Sequence, residues 1–306
     1  MLYTIDIMGY GNPEQSAINN LDSRKRPDDI KDTADLLLPM HDRVSQLMEQ
    51  IAIKPEDFRD LYGDGVDKDA QYVDKRKASF KTTENKEITA GLNEGEVRKL
   101  AEILEYQIIR GINVGKWLPF CTAVKTSEFD DIAHGVDMVI EFQKLTQYGH
   151  LGMGVDVSFS HNLQSKFQRI KDEIDNFDGK NNRLGVVKYF NSEKTGMRGE
   201  LSGLPRVVVA LDIKIIEDLA RVKNDDIPNH IVQHEVVLEI EHQLAVFADY
   251  AQKRNPLCLD QIMRAQNFMR TISLHLESEA KLKNSEYGKN RKIQEAVERG
   301  LTLFKS

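Results

Sequence analysis

Four short runs, GVDMVIEF, LGMGVDVSFS, LGVVKYF and PRVVVALDI, constrain this chain more than any other feature of it. Each is rich in β-branched residues, too short for a helix, and bounded by glycine, proline or charged turns, which is the pattern of buried strands. One amphipathic segment, NLQSKFQRIKDEIDNF, separates the second run from the third and sets Phe167, Ile170, Ile174 and Phe177 on one face. Two strands close in sequence, then a helix, then two more strands predict an α/β (α+β) domain. Its mixed central sheet has about four strands and flanking helices, without the regular alternation of a doubly wound fold.

Ahead of these runs, Val97, Leu100, Ala101, Leu104 and Ile108 make a helical stripe that begins at Glu94, with Gly111 as its expected stop. WLPFCTAVKT follows as a loop or short strand. The core is therefore expected over 94–225. Residues 1–93 read as an amino-terminal strand, MLYTIDIM, and a helical arm. In that arm Pro55 opens a second helix, and VDKDAQYVDKRKASFKTTENKE makes one long exposed helix. Residues 226–306 are expected to be helical throughout, broken at Asn255-Pro256.

Composition narrows the setting. No window approaches the roughly 18 consecutive apolar residues that span a bilayer, and the amino terminus lacks the basic start of a signal peptide. Cys121 and Cys258 form no paired motif, so a reducing cytoplasm is expected. The net charge of −7 gives no long-range attraction to nucleic acid. A nucleic-acid partner would need local basic surfaces. Two present themselves: Lys75, Arg76 and Lys77 around Phe80, and the helix bearing Lys166 and Arg169. In each, an ordinary solvated surface of mixed charge is the competing explanation.

The chemistry concentrates in EFDDIAHGVDMVIEF and the following HLGMGVDVSFS. A strand period of two places Asp137, Val139 and Glu141 on one face, and Asp156 with Ser158 on another. A carboxylate inside an apolar strand is costly unless something charged or hydrogen-bonding meets it, and two on adjoining strands add mutual repulsion. A bound Mg²⁺ or Mn²⁺ removes both costs, because such ions take one or two carboxylates with water completing the shell. The blander alternatives are that Asp130 and Asp131 cap a turn, that Asp137 closes a hairpin, and that Asp156 makes a structural hydrogen bond.

These residues resemble the PD-(D/E)XK, or restriction-endonuclease-like, nuclease superfamily over roughly 94–215. That family has a helix-strand-strand-strand-helix-strand core, an acid on the first helix, an aspartate opening one hairpin strand and an acid-x-lysine triplet on the next. The resemblance implies metal ligands Glu105, Asp137 and Asp156, with Asp131 as the rival of Asp137. It also implies a metal-dependent phosphodiesterase acting on DNA or RNA. Ser158 stands where the triplet's lysine belongs, so the lysine must come from elsewhere: Lys166 first, Lys188 second. Failing that, the core is degenerate. The alternative is then a non-enzymatic interaction or assembly protein that keeps a nuclease-like scaffold and forms homo-oligomers through its helical arms. The phrases SEFDD, GVDMVIEF and PRVVVALD also resemble a bacterial family of unknown function, which implies no activity.

Rival motifs are weaker. His230, His234 and His242 with Glu235 and Glu239 suggest zinc, but HEVVL lacks the second histidine of HExxH, and these read as solvated helix residues. GYGNPEQ lacks the full glycine pattern of a dinucleotide loop. Asp212 and Lys214 form an acid-x-lysine triplet, but one placed after the core helix.

Overall fold

The computed structural model describes residues 30–89, 91–142, 152–159, 163–278, 281 and 291–305. The strand expected at the amino terminus lies outside them. The chain enters through two amphipathic helices, α1 (Ile30–Leu37) and α2 (His41–Ile51), which bury Ala34, Leu37, Val44 and Met48. Pro55 then opens a 3-10 turn, Pro55–Phe58, that runs directly into a one-turn helix, Arg59–Tyr62. The charged segment forms one long helix, α3 (Gly65–Thr83), exposed along most of its length and held by Val66 and Val73.

Asn93 starts the next helix with a reciprocal cap. Its side chain accepts from the Glu96 amide at 2.9 Å, and the Glu96 carboxylate accepts from the Asn93 amide at 2.9 Å. That helix, α4 (Glu94–Asn113), does not stop at Gly111. A Cβ there would lie 2.4 Å from the Trp117 ring, so the glycine serves the approach of a fully buried indole and the helix runs two residues further.

Beyond it lie β1 (Cys121–Lys125), β2 (Met138–Phe142) and β3 (Gly152–Ser158), then helix α5 (Gln164–Asn176). A hairpin, β4 (Gly185–Asn191) with β5 (Arg198–Leu204), leads to β6 (Arg206–Ala210). The main sheet runs β1-β2-β3-β6, antiparallel except for the parallel β3–β6 pair. It is the mixed four-stranded sheet that the strand runs predict, with one exchange of membership. WLPFCTAVKT supplies a strand, whereas LGVVKYF leaves the main sheet to pair with a partner, RGELSGL, whose two glycines and half-exposed pattern hide it from periodicity.

Alternation along β2 explains where the hairpin goes. Met138, Ile140 and Phe142 enter the main core, while Val139 turns to the other face, where Val187, Phe190, Leu201 and Leu204 cover it. Side chains bond backbone groups on both edge strands of the sheet. On β6, Gln243 accepts from the Val208 amide at 2.9 Å and donates to its carbonyl at 2.6 Å, and Glu239 accepts from the Ala210 amide at 3.2 Å. On β1, Asn113 does the same for Ala123, at 2.9 Å and 2.8 Å.

The carboxy-terminal helices are α6 (Ile213–Arg221), α7 (Val232–Arg254), α8 (Leu259–Leu276) and α9 (Arg291–Leu301), with the expected break at Asn255-Pro256. One continuous apolar core takes side chains from α1 and α2, the sheet, α5, α7 and α9. No helix among the described residues is long and apolar enough to cross a membrane.

Candidate metal centre

The turn between β1 and β2 sets the geometry. Ser127 begins it by donating to Asp130 at 2.7 Å and accepting from the Asp130 amide at 3.1 Å. Asp130 is fully buried and its carboxylate also receives His134 Nδ1 at 2.8 Å and the amides of Lys188 and Tyr189 at 2.6 and 3.1 Å. It therefore locks the turn to strand β4 and is structural. One residue on, Asp131 points the other way. Asp130–His134 is a π-helical turn, closed by Gly135 in the left-handed region at φ +64°. A Cβ on Gly135 would sit 1.7 Å from Arg169 Nη1, which donates to the His134 carbonyl beside it. Buried Arg206 donates to the His134 and Gly135 carbonyls at 2.6 and 2.7 Å. Asp137 thus leaves the turn in a fixed direction, its own amide bound to the Val155 carbonyl at 2.9 Å.

Three carboxylates converge here from three elements. Glu105 of α4, Asp131 of the turn and Asp137 at the mouth of β2 each offer one oxygen, and these atoms lie within 4.8 Å of one another. Glu105 and Asp137 are buried, and Asp131 is partly open. Glu105 sits on the side of α4 that meets the sheet's end. Burial, opposed by Lys125 and reinforced by Asp131, pushes the Glu105 carboxyl up to about 7. Burial, then Glu105, Asp131 and Asp156, drive Asp137 well above the usual carboxylate range. One Asp137 oxygen accepts from the Val157 amide at 2.6 Å.

Lys125, the last residue of β1, enters this cluster. It is buried, and its Nζ lies 2.9 Å from Glu105 Oε2 and 3.0 Å from Asp131 Oδ2. Burial alone would lower its ammonium, but Asp131, Glu105 and Asp137 outweigh it and hold it well above its ordinary value. Asp156 stands beside the convergent set. Its Oδ1 contacts the amine of Lys166, which also donates to the Val157 carbonyl at 3.2 Å. Burial lowers the Lys166 ammonium and Asp156, Asp137 and Glu105 more than restore it, leaving it above its ordinary value.

No family model matches this sequence, and no curated protein or solved structure matches the chain. The site therefore rests on its own geometry.

The donors are all carboxylate oxygens, the chemistry suited to Mg²⁺ or Mn²⁺, and burial first, then the neighbouring acids, makes ionised Glu105 and Asp137 costly unless a cation meets them. These residues fit a hard divalent cation. Of the sequence-derived candidates, Glu105, Asp131 and Asp137 form one cluster, and Asp156 with Lys166 adjoins it. Asp131 and Asp137, rivals in the sequence, are both present. Lys188 is elsewhere, its amine 2.5 Å from Asp69 and 5.1 to 5.3 Å from the rings of Tyr62, Phe129 and Tyr189. Asp212 caps α6 by accepting from the Lys214 amide at 2.9 Å.

One residue was missed and one expectation fails here. Lys125 was not singled out, since its segment read as a loop or short strand and the lysine was sought on the helix after β3. Its signal was the same as for the aspartates, an ionisable residue at the end of an apolar run. The histidines are not all solvated: His234 is buried against Ser278 Oγ at 3.0 Å, and His230 stacks on Trp117 at 6.5 Å, while His242 is exposed and pairs with Glu298. Neither His230 nor His234 joins a cluster of metal-ligating groups among the described residues.

Proposed function

We propose that this chain is a metal-dependent phosphodiesterase acting on DNA or RNA, built on a core of the PD-(D/E)XK kind. The observation that carries it is the convergence of Glu105, Asp131 and Asp137 from a helix, a turn and a strand, with the Asp156–Lys166 pair adjoining. The element order α4-β1-β2-β3-α5-β6, with one hairpin inserted before β6, supports the same reading. So does the placement of an acid on the first helix, an aspartate opening β2 and an acid within β3.

Glu105, Asp131 and Asp137 would hold the ion, either Mg²⁺ or Mn²⁺. When bound, it would supply Lewis acidity toward a phosphoryl oxygen and make water a better nucleophile at neutral pH. The chain's own residues do the rest. The amine of Lys166, braced by Asp156 and the Val157 carbonyl, is placed to donate to a phosphate oxygen or to orient water, the role left open by Ser158. Partial burial of the site strengthens each of these interactions relative to bulk water.

Nucleic acid would be received along α3 and α5. Lys75 and Arg76 are exposed on α3, Lys77 pairs with Glu128 at 2.5 Å, and the Tyr72 and Phe129 rings lie 6.0 Å apart, so α3 runs past the turn that carries Asp131. Lys166 and Arg169 present the second basic edge on α5. Affinity carried by such local charge falls steeply with salt. The two unpaired, buried cysteines suit the reducing cytoplasm as its location.

A second reading is an interaction or assembly protein on the same scaffold, acting through its helical arms and able to form homo-oligomers. The net charge of −7 and Ser158 in place of a strand lysine favour it. The two are separated by incubating purified protein with single- and double-stranded DNA and RNA in Mg²⁺ or Mn²⁺. Cleavage is expected, reduced at least 100-fold in Asp137→Asn and in Asp156→Ala. Equal cleavage by all three proteins, or none by any, removes the enzyme.

A further inference from the structure

Lys125 carries a consequence for how the cluster meets a cation. Its side chain is buried at the end of β1, and its amine already makes hydrogen bonds to two of the three convergent carboxylates, Glu105 at 2.9 Å and Asp131 at 3.0 Å. Register explains why it is held there: Lys125 pairs with Met138, so it lies directly across the sheet from the residue that follows Asp137. A divalent ion would take oxygens of the same carboxylates at about 2.0–2.6 Å. With three oxygens confined within 4.8 Å, an ion at their centre would stand close to the ammonium, two like charges in a partly dry site, competing for the same lone pairs.

We infer that the Lys125 ammonium is the resident cation of this cluster, and that a divalent ion enters only by displacing it from Glu105 and Asp131. The inference rests on the cluster being a cation site and adds its regulation: the metal-free protein is held folded and closed by its own lysine, and metal affinity is set by what that lysine gives up. Asp131 is the door, because it is the one member of the cluster that is partly open to solvent.

The test is direct binding of Mn²⁺ alone, without nucleic acid, by calorimetry and by the loss of free-ion electron paramagnetic resonance signal. The wild type is compared with Lys125→Met, which keeps the aliphatic stem and removes the charge. The variant is expected to bind one Mn²⁺ at least tenfold more tightly, and Asp137→Asn added to it should abolish the gain. Equal or weaker binding by Lys125→Met overturns displacement while leaving the metal site standing. Absence of binding by both proteins removes the metal site and the displacement together. Binding by the variant alone means that the ion does not displace the lysine in the native protein, which overturns the inference. Should Lys125→Met not fold unaided, refolding in Mn²⁺ is expected to restore its helical circular dichroism. Failure of that rescue, with the wild type binding Mn²⁺, overturns the inference.

Discussion

At the scale of single residues, the chain tolerates buried acids by two different means. Asp130 is surrounded by donors and makes a fixed joint between the turn and β4. Glu235 on α7 is the opposite case. It is buried, its Oε2 has no hydrogen-bond partner, and burial, reinforced by Asp212, pushes its carboxyl up to about 7 from an ordinary 4.5. Glu239, one helical turn away, is likewise raised, by burial and then by Glu235 itself. A carboxyl raised in the folded state binds its proton more tightly there than in the unfolded chain. Its contribution is therefore intact below about 4.5 and lost as pH climbs through about 7. Glu235→Gln should flatten that decline and leave the protein more stable at pH 8 by up to about 3 kcal/mol. Urea denaturation of both proteins at pH 5 and pH 8 reads this. A wild-type advantage at pH 8 would contradict it.

At the scale of elements, the sheet's legibility follows from chemistry. GVDMVIEF, LGMGVDVSFS and PRVVVALDI announce themselves because their flanks are turns and their interiors are β-branched. CTAVK is masked by Pro119 and by Phe120, whose φ of +64° marks a turn that residue type does not advertise. Asp137 and Asp156 stood out as carboxylates in apolar runs. Glu105 did not, since a stripe of leucines and isoleucines says nothing about what its neighbouring face will meet. Lys166 was legible only through the gap at Ser158. The π turn could not be foreseen, because its extra residue is what lets Asp130 face β4 while Asp131 faces Lys125. Gly135, which ends that turn, is the element's weak point. Gly135→Ala puts a side chain in the left-handed region, at about 1–2 kcal/mol, and into the place of Arg169. Loss of stability by at least that amount is expected by thermal denaturation, with weaker Mn²⁺ binding as Asp131 and Asp137 shift. Unchanged binding would show that the turn does not set their directions.

At the scale of the molecule, the amino-terminal and carboxy-terminal helices share one core with the sheet. Gly300 of α9 lies so near Phe167 of α5 that a Cβ would stand 2.0 Å from its ring, and Phe304 packs on Phe247 and Tyr250 at 4.7 and 5.3 Å. The last turns of the chain therefore brace the helix that carries Lys166. Phe304→Ala should lower stability by about 3–5 kcal/mol. Urea unfolding followed by tryptophan fluorescence and by circular dichroism should still give one coincident transition. Two separated transitions would show that the arms melt independently of the sheet.

The side-chain amides along the sheet's margins reach further than local hydrogen bonding. Asn113 stands in for a missing strand beside Ala123, and Gln243 does so beside Val208. An exposed strand margin is where another chain would add on and propagate into fibres. With these two surrogates seated, the Ala123 and Val208 groups an incoming strand would bond are already occupied. At those two places the sheet offers a second chain no free backbone groups to extend.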